Sequence, residues 1–293
     1  MQTVMQQAFL KRFFLAVFTA ALMITGSLPD NTVFAQSAGD LIVAPTRVVF
    51  EGRTRSAQLS IANKGSTTAT FRISVVNMKM APDGRMSEIS RPEKGQLFAD
   101  KLFRFSPRQV TLKPGDSQAI RLLLRKPKNL KDGEYRSHLF MRALPKDAGQ
   151  SIEQATGQTD VQIKLIPIFG ITIPVIVRQG KIETTSRLSE LKVTAPYPSD
   201  KMQRLKFTIN RDGNGSVFGD LTATLKPANG GDDIVVGQVQ RLAVYTPNKT
   251  RNIEMVLRVP DGVSLSGGKL TLDFMTTDKK NPVKLAETSI TVP

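Results

Sequence analysis

From residue 41 onward the apolar side chains recur at every second position: Leu41 and Val43, Val48 and Phe50, Leu59 and Ile61, then Phe71, Ile73 and Val75. A period of two puts alternate side chains on opposite faces of an extended chain, so these segments read as half-buried strands. Further strands are expected at 102–112, 117–125, 134–144 and 161–178. Turn clusters such as Ala81-Pro82-Asp83-Gly84 and Lys113-Pro114-Gly115-Asp116 separate them. No long amphipathic helical pattern interrupts the series.

Around Gln179-Gly180-Lys181, and on to about Leu188, apolar density falls and Glu183, Thr184, Thr185 and Ser186 take over, which reads as an interdomain hinge. A second alternating series follows through Leu191–Thr194, Leu205–Ile209, Val217–Leu225, Ile234–Tyr245, Asn252–Val259, Leu270–Met275 and Lys284–Val292. Seven short strands with Gly, Asn, Asp and Pro turns between them are what an immunoglobulin-like sandwich needs. The expected fold is therefore all-β, with one sandwich over residues 36–180 and a second over 188–293. The halves share this architecture without a residue-level repeat.

The first 35 residues follow a different pattern. Lys11 and Arg12 precede the uninterrupted apolar run Phe13–Ile24, and Val33-Phe34-Ala35 offers the residues that a signal peptidase reads. The apolar run is shorter than the roughly 20 residues needed to cross a bilayer. Residues 1–35 thus read as a secretory signal peptide cleaved after Ala35, with no stable membrane insertion of the exported chain.

Export changes what the charge means. The chain of 293 residues carries 41 Lys plus Arg against 25 Asp plus Glu, a net charge of +16, of which the leader accounts for +1. The basic residues are scattered through alternating segments without a polybasic tail or interleaved aromatics, so the expectation is an acidic protein or surface partner and not nucleic acid. With no Cys, no Trp and a single His, thiolate catalysis, iron–sulfur clusters and cysteine-ligated zinc drop out. A catalytic triad could be built only around His138. No metal or cofactor is implied, and an enzyme is not expected.

The candidate chemical motifs have plainer readings. Gly213, Gly215 and Gly219 in GNGSVFG lack the spacing of a dinucleotide loop, and a strand follows where a helix would be needed. Asp212-Gly213-Asn214-Gly215 reads as a hairpin turn. Asp232 and Asp233 are adjacent, so they point to opposite faces of a strand and read as a solvated turn, not a calcium site. His138 lies among apolar neighbours with no Ser or Asp partner at a usable spacing and reads as structural.

The most informative segment is 161–178, long for a strand. Its odd positions Ile163, Leu165, Phe169, Ile171, Ile173, Val175 and Val177 form one apolar face, while Gln162, Lys164, Gly170 and Thr172 are polar or small. Pro167 and Pro174 each remove a ladder donor, which is tolerated chiefly on an edge strand. A long apolar edge invites pairing with another chain, so the residues leave two readings open: strand addition by a partner, or cover from this protein's own parts or a second copy.

Four motifs in order now carry a resemblance: Ile42-Val-Ala-Pro-Thr-Arg47-Val-Val-Phe-Glu; Leu59-Ser-Ile-Ala-Asn63; Leu112-Lys-Pro-Gly115 with Ile120-Arg121-Leu122; and Gly133-Glu134-Tyr135-Arg136. Over residues 40–178 the sequence resembles the N-terminal domain of periplasmic pilus-assembly chaperones of the chaperone/usher pathway. The resemblance implies two immunoglobulin-like domains in a boomerang arrangement, whose last N-terminal-domain strand, here 161–178, completes a subunit lacking a strand of its own. Ile163, Leu165, Phe169, Ile171 and Ile173 would be the donor residues. Arg47 would grip the subunit's terminal carboxylate. The lysine that assists it in the family has no clean counterpart: strand-end alignment puts Pro174 at its place, and Lys164 matches the local motif but sits early. Arg121 and Glu134 match a buried pair that holds the domains near the cleft.

The expected function is that of a periplasmic chaperone that binds pilus or fimbrial subunits by donor-strand complementation and delivers them to an outer-membrane usher. The alternative is a structural or adhesive two-domain surface protein that self-associates through the same edge strand.

Overall fold

The alternation of apolar and polar positions becomes strands wherever one face finds a second sheet to cover it. The computed structural model describes residues 36–38, 40–144, 170–200 and 202–293. The described residues contain strands and loops and no helix, hence none long and apolar enough to cross a membrane. Ala35–Pro293 form one compact unit built from two immunoglobulin-like β-sandwiches.

In the first sandwich the strands are β1 (Gln36–Ala38), β2 (Leu41–Ala44), β3 (Val48–Phe50), β4 (Ser56–Asn63), β5 (Ala69–Val76), β6 (Met78–Met80), β7 (Met86–Glu88), β8 (Phe103–Ser106), β9 (Gln109–Leu112), β10 (Ser117–Leu124), β11 (Gly133–Leu144) and β12 (Gly170–Gln179). One sheet runs β1-β2-β4-β10-β8 and the facing one β3-β12-β11-β5-β9, with β6 and β7 forming a separate hairpin. Leu59, Ile61, Ile120 and Leu122 from the first sheet meet Phe50, Phe71, Leu139, Met141 and Ile173 from the second in one core. Twice the chain leaves one sheet for the other at a proline: between β2 and β3 at Ala44-Pro45, and between β8 and β9 at Ser106-Pro107. The expected single strand at 102–112 is therefore two, because Pro107 supplies no N–H to continue a ladder.

Two polar residues brace this sandwich. Buried Asn63 donates its amide to the carbonyls of Thr67 (2.8 Å) and Leu112 (3.0 Å) and accepts from the Gly65 N–H (2.9 Å), tying three loop and strand ends together. At the start of β11 the Tyr135 hydroxyl donates to the Lys131 carbonyl four residues upstream (2.9 Å), the arrangement known as a tyrosine corner in immunoglobulin-like folds.

The second sandwich contains β13 (Thr184–Thr194), β14 (Arg204–Gly213), β15 (Val217–Lys226), β16 (Ile234–Val244), β17 (Thr250–Val256), β18 (Lys269–Met275) and β19 (Lys284–Thr291). They form the sheets β13-β14-β17 and β16-β15-β18-β19, closed around Leu205, Phe207, Leu221, Leu225, Leu272 and Phe274. Two expectations need correction. The polar stretch at 184–188 is strand and not hinge, since β13 is an edge strand that buries Leu188 and leaves Thr185 and Arg187 exposed; the connection shrinks to Gly180–Glu183. Gly213-Asn214-Gly215 is a turn, but β14 and β15 lie in different sheets, so it carries the chain across the sandwich and makes no hairpin. Glycine is required there: at Gly213 φ is +99°, and a Cβ would lie 2.0 Å from the Glu183 carbonyl oxygen.

Candidate functional site

β11 organises the site through its two faces. Tyr135, Leu139 and Met141 point into the first core, so Glu134, Arg136 and His138 point out of it, toward the second sandwich, and all three are buried there. β12 does the same at Ile176, which joins Met80, Ala243 and Tyr245 in a small apolar cluster between the domains. The β6–β7 hairpin reaches across as well. Its Met80 carbonyl accepts from the Asn248 amide (2.8 Å) and its Pro82 carbonyl from the Asn252 N–H (2.7 Å).

Into this junction the fold packs several cations and little negative charge. The Arg136 guanidinium lies 4.0 Å from the Tyr245 ring centroid, and its Nη2 donates to the Met78 carbonyl (3.1 Å). Burial pushes its pKa down to about 10. Arg47, in the bend between β2 and β3, stacks over Phe218 (4.4 Å) and near Tyr245 (5.9 Å). Burial lowers its pKa as well, and its Nη1 is covered without a hydrogen-bond partner. His138 meets Tyr245 edge-on at 6.5 Å, and burial followed by the nearby Arg136 charge pushes its pKa down to about 3, so the imidazole is neutral. Arg211 contrasts with Arg47: it donates to the carbonyls of Asn248 (2.7 Å), Gly213 and Gly215 (both 2.8 Å), which makes it a brace for the interdomain turn.

The carboxylate at the centre is Glu134. Its Oε2 accepts from Arg178 Nε (3.2 Å) and from the Ser216 N–H (3.1 Å), so one side chain ties β11, the end of β12 and the start of β15. Arg178 also pairs with exposed Glu51 (2.8 Å). Beside this network an open cleft of about 600 Å³ lies between the sandwiches, lined by Arg47, Arg178, Ser216, Phe218, Thr276 and Asp278 among others.

These positions revise the expected pairings. Arg121 does not meet Glu134: it stands on β10 between core-facing Ile120 and Leu122, so alternation turns it to solvent on the opposite sheet, where Gln58 and Ser106 flank it. Arg178 is the true partner. Ile171 and Ile173 are 1% and 0% exposed within the first core and are not offered to a partner. Val175–Val177 are flanked by β11 on one side and by β3, running parallel, on the other, so this end of the strand is not an edge. Among the described residues, Gly170–Pro174 pair with β11 alone, which accommodates Pro174. Ile163, Lys164, Leu165 and Phe169 lie outside the described residues.

Sequence reasoning missed Arg136, Phe218, Tyr245 and the β6–β7 clasp. A signal for Arg136 was present, since Glu134, Arg136 and His138 place three polar groups on one face of a strand whose other face is apolar. Tyr245 and Phe218 read as ordinary core aromatics.

Two immunoglobulin-like sandwiches joined over a cation-rich cleft, with the final strand of the first unpaired along part of one edge, define the class of this protein. Residues 40–178 match the family described as pili and flagellar-assembly chaperone, PapD N-terminal domain. By this domain the chain belongs to the pili and flagellar-assembly chaperones. Similar solved structures include the YadV chaperone (13% identity over 86% of this chain and 100% of that one, TM-score 0.44). They also include the CupB2 chaperone of Pseudomonas aeruginosa (14%, 88% and 100%, 0.41). A third is the CsuC–CsuE chaperone–tip adhesion subunit pre-assembly complex from the archaic chaperone–usher Csu pili of Acinetobacter baumannii (14%, 86% and 99%, 0.43). Among curated protein sequences, none matches this chain.

Proposed function

We propose that this protein is a periplasmic chaperone that binds pilus or fimbrial subunits by strand donation and hands them to an outer-membrane usher. Family membership supports the chaperone role. The observation that carries the site is Arg47, a guanidinium held against Phe218 at the wall of an interdomain cleft where cations outnumber acids, with one nitrogen lacking a partner. Such a group suits a carboxylate, which an arginine can hold through two parallel charge-assisted bonds. Arg178 lines the same cleft and stands closer to it in sequence than Lys164 does, which makes it a candidate for the second cation.

The donor residues proposed are Ile163, Leu165 and Phe169. They share the sequence parity of Ile171 and Ile173, so one apolar face that begins as this domain's own core continues toward the N-terminal end of the segment. Burying each large apolar side chain stabilises a complex by roughly 1.5–3 kcal/mol before ordering costs. The exported form begins at Gln36.

The test is subunit capture by the mature protein from periplasm. Arg47→Ala is expected to lose capture while keeping its melting temperature. Leu165→Asp and Phe169→Asp are expected to abolish capture, and Thr172→Asp to change it little. Unchanged recovery with Arg47→Ala removes that residue from the site, and equal losses at odd and even positions reject strand donation. N-terminal sequencing of the periplasmic protein checks the start at Gln36.

A further inference from the structure

At the margin of the first sandwich farthest from β3, both sheets end. β8 is the last strand of one and β9 the last of the other, and the chain passes directly between them through Ser106-Pro107. A groove of about 770 Å³ opens there, and Arg72, Lys101, Arg104 and Arg108 stand around it with the half-buried ring of Phe105 in its wall. Asp100 is the one acid in the lining. All four cations are exposed, and none joins an ion pair among the described residues.

That is unusual for this molecule. Elsewhere on its surface Lys79 faces Glu93, Arg85 faces Asp83, Lys206 faces Glu254 and Lys284 faces Glu287 and Asp273. At the groove, by contrast, charges of one sign are pressed together. Arg72 on β5 is directly opposite Arg142 on β11, a cross-strand placement that costs stability when nothing negative lies between. The Arg108 guanidinium is held 5.3 Å from the Phe105 ring centroid, which holds one cation in place beside an apolar wall.

We propose that this margin binds an extended acidic segment of a partner protein. Three features favour a peptide over a single phosphate. The cations are distributed along the margin, before β8, on it, after it and on β5, and do not converge on one point. Among the described residues β8 and β9 each have one unpaired edge, so a peptide backbone has N–H and C=O groups to bond. The wall includes an aromatic ring, which phosphate does not need. β11 and β5 separate this groove from β12, so it can be occupied while β12 is engaged. The inference therefore stands apart from subunit capture and identifies a second docking place.

The experiment measures fluorescence anisotropy of a labelled peptide of alternating Glu and Thr with the mature protein. The Arg72→Gln/Arg108→Gln variant is compared with Lys192→Gln/Lys226→Gln on the second domain. The expected result is salt-sensitive binding that weakens about tenfold in the groove variant and stays unchanged in the other. Amide NMR shifts of the unaltered protein on adding the peptide are expected at residues 72–75 and 103–109, a readout that does not depend on how the variants fold. No peptide binding, or equal weakening in both variants, overturns the proposal. So does binding of inorganic phosphate or phosphatidylglycerol vesicles that matches the peptide and is lost with the same groove variant, which would assign the site to phosphate chemistry.

Discussion

Tyr245 sits against two guanidinium groups, those of Arg47 and Arg136, and the edge of His138, so the junction between the domains is held by an aromatic face that tolerates positive charge. Glu134 supplies the countercharge. Because its side chain is buried and accepts from both Arg178 and the Ser216 N–H, Glu134→Ala is expected to cost about 3–5 kcal/mol in urea unfolding, by leaving those donors without an acceptor. His138 gives a pH signature. Its folded pKa of about 3 lies below the ordinary 6.5, so as pH falls the unfolded chain takes up the proton first. The histidine's contribution is fully present above about pH 6.5. It declines by about 1.4 kcal/mol per pH unit from there toward pH 3, and levels off below. His138→Gln is expected to lose less melting temperature than the unaltered protein between neutral pH and about pH 5.

At the scale of elements, β12 does two jobs along one strand. Its C-terminal half is enclosed by β3 and β11, and its N-terminal half pairs with β11 alone among the described residues. Alternation separates the consequences of substitution. Ile173→Ala removes a fully buried side chain and is expected to cost about 2–5 kcal/mol in denaturant unfolding. Thr172→Ala, one residue away on the outer face, is expected to stay within about 0.5 kcal/mol. If the neighbours cost the same, the alternation assigned to the strand is wrong. Gly170 has a local reason of its own: a Cβ there would lie 2.3 Å from the Phe140 ring, across the same ladder.

For the whole molecule, the two sandwiches communicate through a small area: the Met80, Ile176, Ala243 and Tyr245 cluster, the Glu134 network and the β6–β7 clasp. Interfaces of this kind decide whether two domains melt together. Tyr245→Ala removes the ring that the apolar cluster and both arginines share, so calorimetry is expected to show one transition for the unaltered protein and two for the variant. A single transition in both would assign the coupling to Glu134 and the clasp instead.

Period-two alternation determined, from the sequence alone, that the chain is all-β, that it forms two sandwiches and where most strands lie, because burial of one face acts on each strand locally. The motif around Arg47 and the apolar odd face of 161–178 were legible for the same reason: each is a run of neighbours in the chain. Which sheet a strand joins was not, since Pro45, Pro107 and Gly213 mark interruptions without saying that the chain crosses the sandwich there. Nor was Glu134's partner. Arg121 and Arg178 both stand on apolar strands, and only the assembled sheets turn the first to solvent and bring the second to 3.2 Å. The junction around Tyr245 was decided by tertiary structure alone, because its members come from β6, β11, β12, the bend before β3 and the end of β16, and charge and ring contacts between domains leave no periodic trace in either segment.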